Sequence, residues 1–161
     1  MRSLTPVEAA VAVAVLASVV ATALPTFVRN LHASRLVEPI DGLNRVATRA
    51  TALAAGRPTE AAYPPAAPLT PAQVPEGERV TDPPGTWDNP TWRELELSFT
   101  VPHSFSFAFD SANTPQEAHF VAKAHGDLDG DGLLSTFEIG GHTRPGAEPV
   151  TTPLEMTREI E

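Results

Sequence analysis

Between Glu8 and Arg29 the chain carries no charged side chain, and that apolar run constrains what it can fold into more than any other feature. It opens as Leu4-Thr5-Pro6-Val7-Glu8 and continues through Ala9-Ala10-Val11-Ala12-Val13-Ala14-Val15-Leu16 to Val20 and beyond. Wound as a helix at about 1.5 Å per residue, Ala9 to Val28 reaches roughly the hydrocarbon thickness of a bilayer. Valine is a mediocre helix former in water. In lipid, however, the backbone has no partner but itself, and helix is forced. Thr5, Pro6 and Glu8 supply a cap, a first-turn proline and a carboxylate three residues on, which together predict a capping box. An apolar rod with one acid near its start, feeding a polar body, is an assembly and anchoring device.

Pro25 interrupts the rod and predicts a kink or a released hydrogen bond. Beyond Phe27, Leu31, Leu36, Ile40, Leu43, Val46 and Ala50 continue an apolar stripe at three-to-four spacing, so helix is expected as far as about Ala55. Pro39 predicts a second bend, and Gly56 followed by Pro58 is the stop signal. The chain therefore divides into a short leader (1–3), an apolar helix (4–28), an amphipathic helix half (29–56), a Pro-rich connecting loop (57–102), an antiparallel sheet (103–142) and an acidic, loose tail (143–161). In the Pro-rich stretch, Tyr63, Trp87 and Trp92 are expected to pin extended chain to the surface, with a helical turn near Trp92.

His103 to Phe109 alternates strictly, with Phe105, Phe107 and Phe109 on one face, which predicts a half-buried strand. Asn113-Thr114-Pro115 reads as a turn. A second strand over Glu117–His125 turns Phe120, Ala122 and Ala124 to the same side, and Leu133–Ile139 reads as a third. The predicted class is α+β, with the amphipathic helix half covering the sheet. Net charge is −9, and residues 1–58 hold six Arg against three carboxylates, so the excess acid lies in the body. That argues against nucleic acid as a partner, since phosphate binding needs a basic surface. There are no cysteines, hence neither disulfides nor a thiolate metal site.

Asp127-Leu128-Asp129-Gly130-Asp131-Gly132-Leu133-Leu134-Ser135-Thr136-Phe137-Glu138 fits the twelve-residue calcium loop. Asp127, Asp129 and Asp131 supply carboxylate oxygens, Gly132 the sharp turn and Leu133 a carbonyl. Ser135 stands where a side chain often acts through water, and Glu138 can bind with both oxygens. The competing reading is an Asp-Gly hairpin turn without an ion. Against it, four carboxylates so placed repel one another unless a cation is present. The flanks read as strands rather than helices and no second loop exists to pair with, so the ion is expected to staple a hairpin.

His32, His103, His119, His125 and His142 are scattered, and packing or surface roles suit them better than ligation. His125 and His142 flank the loop and are candidates for proximity. Ser104 and Ser106 with His103 and Asp110 could suggest a catalytic triad, but no nucleophile elbow surrounds them. The polar face of a strand is the better reading, and an enzyme is not expected. Trp87 and Trp92 read as core or loop anchors. Arg29, Arg35, Arg45 and Arg49 read as a solvated helix face or an anchor at a lipid surface.

With these pieces in place, the chain resembles a type IV pilin or a type II secretion pseudopilin. Counting from Leu4, Glu8 falls fifth and Pro25 twenty-second, where that family keeps its glutamate and a helix-bending proline. Ala23-Leu24-Pro25-Thr26-Phe27 likewise resembles the family's Ala-Leu-Pro-x-aromatic stretch, and the strand–calcium loop–strand is similar to its calcium-binding domains. The resemblance implies processing between Ser3 and Leu4 by a prepilin peptidase, although Ser3 stands where the family has Gly. It implies storage in the inner membrane, then assembly by pilus machinery into a homopolymeric extracellular filament, or into a periplasmic pseudopilus. Glu8 would neutralise the amine of Leu4 on a neighbouring subunit. Two further readings of the rod stay open. One is a secretory signal ending near Ala21-Thr22-Ala23, and the other a secreted or membrane-tethered calcium-binding module that never polymerises.

Overall fold

A computed structural model describes residues 5–157, with only the backbone described for 25–35. Ser3, Leu4 and the side chains of Pro25, Arg29, His32 and Arg35 thus lie outside the described residues. The chain forms two units, Met1–Leu36 and Val37–Glu161. Helix α1, Pro6–Ala55, provides the regular structure among the described residues of the first and the opening element of the second. Its helical assignment runs unbroken through Pro25 and Pro39.

The first unit begins with the expected capping box. Thr5 donates its N–H to Glu8 Oε2 at 2.8 Å and its hydroxyl to the same oxygen at 2.9 Å, while Glu8 N–H donates to Thr5 Oγ1 at 3.3 Å. Within the rod, the Ser18 hydroxyl donates to the Ala14 carbonyl at 2.9 Å and that of Thr22 to Ser18 at 3.1 Å. The few polar side chains are thereby satisfied by the helix itself, which suits an apolar solvent.

The second unit packs the end of α1 against a six-stranded antiparallel sheet. Leu43, Val46, Ala47, Ala50 and Ala54 are buried, at helical spacing. The strands are β1 (Ala67–Thr70), β2 (Phe105–Asn113), β3 (Ala118–Gly126), β4 (Ser135–Thr143), β5 (Val150–Thr151) and β6 (Glu155–Thr157), in the order β1-β2-β3-β4-β5, with β6 also on β4. The expected alternation holds: Phe105, Phe107, Phe109, Phe120, Ala122, Ala124, Phe137 and Ile139 all face the core.

Large rings stand beside small residues throughout this face. Phe105 pairs with Gly126, Phe107 with Ala124 and Phe120 with Gly141. A Cβ on Gly126 would fall 2.5 Å from the Phe105 ring, and one on Gly141 would strike the Phe120 ring. Gly42 of α1 lies under Phe107, where a Cβ would come within 2.6 Å. The helix therefore approaches the sheet at a position that has no side chain.

Two expectations are corrected. Residues 57–102 are more than a connecting loop. They contain a 3-10 turn (Thr59–Ala61), the edge strand β1 and, at the expected helical turn, a short helix α2 (Pro90–Glu94); Trp87 and Trp92 are core anchors as read, and Tyr63 joins them in the core. Prolines exclude regular hydrogen bonding from a central strand, but an edge strand and a helix start tolerate them. The tail is not loose as far as Thr157 either, because β5 and β6 pair with β4.

Arg45 and Arg49 are not merely a solvated face. Helix α2 ends with Glu96 in the left-handed region (φ 56°), Leu97 N–H returning to the Trp92 carbonyl at 2.9 Å and Glu96 N–H to that of Arg93 at 3.2 Å. This is a Schellman cap with glutamate in glycine's usual place. Arg45 donates to the Glu96 carbonyl at 3.0 Å, and Arg49 pairs with the Glu96 carboxylate at 2.9 Å. The two arginines hold the strained residue down.

Glu38 performs the equivalent task at β2. Its Oε1 accepts the backbone N–H of Ser104 at 2.8 Å and of Phe105 at 3.0 Å, and its Oε2 faces Arg79 at 3.3 Å. Charge-assisted bonds of this kind contribute about 1.5–3 kcal/mol each. Glu38→Ala is expected to lower unfolding stability by about 2–4 kcal/mol, and Glu38→Gln by clearly less because its amide oxygen still accepts. Chemical denaturation of the two variants checks the difference.

Tyr63 is buried edge-on against Phe120 (centroids 4.9 Å apart), and its hydroxyl has no hydrogen-bond partner. Burial pushes its ionisation up to about 12 from 10.0. Above pH 10 the unfolded chain loses this proton first, so stability falls with rising pH until about 12. Tyr63→Phe is expected to remove that alkaline decline and to raise stability near neutrality by about 1 kcal/mol. Melting curves at neutral pH and at pH above 10 check both statements.

Candidate metal centre

The loop between β3 and β4 starts where Gly126 ends one strand and closes where Ser135 begins the next. Its residues cannot continue the ladder. Gly130 and Gly132 both take positive φ (78° and 85°), a conformation that strongly favours glycine. Each aspartate fixes the turn by accepting backbone N–H groups. Asp127 Oδ1 takes Gly130 at 2.8 Å and its Oδ2 takes Gly132 at 3.0 Å. Asp129 Oδ1 takes Asp131 at 3.2 Å, and Asp131 Oδ1 takes Leu133 at 2.7 Å.

The result is that Asp127, Asp129 and Asp131 each direct one carboxylate oxygen into a group within 4.8 Å, a set that could hold a metal ion. Asp127 is only 1% exposed, while its two partners are exposed. Three anionic groups so close repel one another, least screened by water at the buried Asp127. Backbone donors relieve part of that, and a divalent cation would relieve the rest. An all-oxygen set suits a hard ion such as Ca²⁺ rather than a thiophilic one.

Glu138 does not join this group. It lies in β4 opposite Lys123 and pairs with that ammonium at 3.1 Å. The reason is the element that leaves the loop. A strand advances about 3.3 Å per residue, so the three steps from Ser135 carry Glu138 roughly 10 Å away and onto the outer face. A helix would have turned it back. Ser135 is buried at the base of the loop, and Leu133 is exposed with its N–H held by Asp131.

A segment that the sequence did not connect with the loop lies against it. Gly77 N–H donates to the Asp127 carbonyl at 2.8 Å, and Glu76 bridges Asp127 in parallel. Gly77 and Gly130 are neighbours, a Cβ on Gly130 falling in ordinary van der Waals contact with the Gly77 backbone at 3.7 Å. The lone Gly77 after Pro75-Glu76 marks a turn in the sequence, but nothing local names its partner.

His125 and His142 are not neighbours. His125 pairs with Thr136 next to the loop, and its Nδ1 lies 2.9 Å from the Thr136 hydroxyl. Burial first, and then the Lys123 ammonium, hold its imidazole below the ordinary value, opposed by Glu138. His142 stands at the other end of the hairpin, opposite His119.

The residues weighed as a triad do not assemble. His103 is buried among Trp87, Phe99 and Phe107 rings, its Nδ1 2.9 Å from the Phe105 carbonyl and its Nε2 2.8 Å from Asp82 Oδ2. Trp87 Nε1–H donates to the same Asp82 oxygen at 2.6 Å. Both ring nitrogens are occupied, the Ser106 hydroxyl turns to the Gln73 carbonyl at 3.4 Å, and Asp110 is exposed. Asp82 is the partner that sequence spacing could not supply, 21 residues upstream of His103. The group is a structural brace between the Pro-rich segment and β2.

No protein-family model, curated protein or solved structure matches the chain.

The donor set predicts that Ca²⁺ at about ten to a hundred times its dissociation constant stabilises the protein by about 1.4–2.7 kcal/mol. Excess chelator should reverse the shift in melting temperature. Asp129→Ala should leave the melting temperature of the chelated protein nearly unchanged and abolish its response to Ca²⁺.

Proposed function

We propose that this chain is a structural subunit of a type IV pilus-like helical filament, assembled through its apolar N-terminal helix and carrying a body stabilised by calcium. One observation carries the reading. The stretch Pro6–Leu24 of α1, 19 residues long, is apolar enough to cross a membrane or serve as a signal sequence, and none of it is buried within the chain. Val7, Val11, Val13, Val15, Leu16, Val19, Val20 and Leu24 are each more than half exposed and lie on all sides of the helix. Burying such a side chain contributes about 1.5–3 kcal/mol. A helix apolar all round belongs in lipid or inside a bundle.

A subunit stored in the inner membrane and then packed with copies of itself meets that demand twice, first with lipid and then with neighbouring rods. The positions of Leu4, Glu8 and Pro25, which resemble those of type IV pilins, support the same reading, and a pseudopilin of a secretion system differs only in the machine served. Processing before Leu4 and assembly by pilus machinery belong to the proposal. The body has a task of its own in this reading. It cannot use disulfides, so a hairpin stapled by calcium replaces them outside the cell.

One observation favours a second reading, a membrane-tethered calcium-binding module. Glu8 is already satisfied within its own chain, by both the N–H and the hydroxyl of Thr5. It therefore has less need of a neighbour's amine than an unpartnered carboxylate.

Glu8→Ala separates the two. The filament reading expects loss of sheared surface filaments in electron micrographs while membrane association and the calcium-dependent melting of the body persist. Unaltered filaments would remove the assembly role from Glu8, and a native protein with no filaments at all would leave the tethered module.

A further inference from the structure

The outer face of the sheet, turned away from the phenylalanine core, carries a pair that the calcium loop does not use. His119 of β3 and His142 of β4 stand directly opposite one another in the ladder, so both rings leave the same face. Directly opposed residues place their Cβ atoms about 4.5–5.5 Å apart. Two imidazoles on that spacing can bring one nitrogen each to about 3.3 Å, the separation of two donors at about 2.0–2.1 Å on a tetrahedral zinc ion. Both rings are exposed, and neither has a hydrogen bond or an ion pair among the described residues.

The surroundings suit an ion rather than a packed aromatic pair. The next outward pair along the ladder is Val121 and Gly140, and both histidines line a cavity of about 300 Å³ together with this pair. Its floor is fixed, since Thr152 bonds Gly140 twice, N–H to carbonyl at 2.8 Å and hydroxyl from the Gly140 N–H at 2.9 Å. Glu138 and Glu155 also line it and face each other across β4 and β6. Only Glu138 has a cationic partner, Lys123, which leaves the cavity with a net negative charge among the described residues.

We propose that His119 and His142 together bind a divalent transition-metal ion that prefers imidazole, Zn²⁺ or Cu²⁺, with water completing its coordination in the cavity. The site is separate from the aspartate loop. Seven steps of β3 separate His119 from the loop mouth at Gly126, roughly 23 Å of extended chain. Its donors are nitrogen, whereas the loop's are oxygen, so each selects a different class of ion.

The test uses the untagged full-length chain in detergent, saturated with Ca²⁺, and titrated with Zn²⁺ by calorimetry and with Cu²⁺ by electron paramagnetic resonance. One equivalent of Zn²⁺ should bind, and the Cu²⁺ spectrum should show coupling to two imidazole nitrogens. His119→Ala and His142→Ala should each weaken binding at least tenfold and reduce the coupling to one nitrogen, while Asp129→Ala leaves both readouts unchanged. Circular dichroism of these surface variants should match the parent. Absence of saturable binding, parental affinity in either histidine variant, or an all-oxygen Cu²⁺ spectrum lost in Asp129→Ala would overturn the assignment.

Discussion

Aromatic rings laid over positions that have no side chain are the contact on which the body of this protein depends. Phe107 sits on Gly42 of the helix, Phe105 on Gly126 and Phe120 on Gly141. Each pairing excludes any larger residue beneath the ring, and together they set the register of three long strands. A slip by one residue would turn every ring outward. The aspartate loop inherits its geometry from this, because the Phe105–Gly126 pair is the last rung before Asp127. So does the histidine pair on the opposite face, which is opposed only while that register holds.

The loop illustrates how the same residues acquire different partners when the flanking elements change. Asp127, Asp129 and Asp131 converge because the turn itself, with two glycines at positive φ and four backbone donors, brings them together. That convergence is local. The place of Glu138 is not, for it depends on whether helix or strand follows Ser135. With a strand, its carboxylate serves a cross-strand pair with Lys123. The docking of Glu76 and Gly77 against Asp127 adds a support that arrives from a distant part of the chain.

Polar side chains do comparable work at the edges of the core. Glu38 caps the start of β2, Arg45 and Arg49 restrain a left-handed glutamate, and Asp82 braces His103 and Trp87. Glu38 joins α1, and Asp82 the Pro-rich segment, to the start of β2, while the two arginines join α1 to the Pro-rich segment. The Pro-rich segment, unable to build a central strand, is held by these bonds and by its aromatic residues. In the apolar rod the balance is reversed: its polar groups are satisfied internally and its apolar surface is not.

Much of this was legible from residue patterns. The helix end near Ala55, the alternation of Phe105, Phe107 and Phe109, the capping box at Thr5 and the aspartate turn are all set by neighbours a few residues away, where periodicity and stereochemistry act directly. What resisted reading were pairings at long separation, such as His103 with Asp82, Glu38 with the start of β2, and His119 with His142. The amino-acid order alone determined an apolar rod, an α+β body and a loop chemistry suited to a hard cation. Only the tertiary structure decided what Tyr63, Trp87 and Trp92 pack against, that Glu138 leaves the loop and that two histidines stand opposite one another. Those outcomes depend on strand register and on which segments share a face, and no short stretch of chain encodes either.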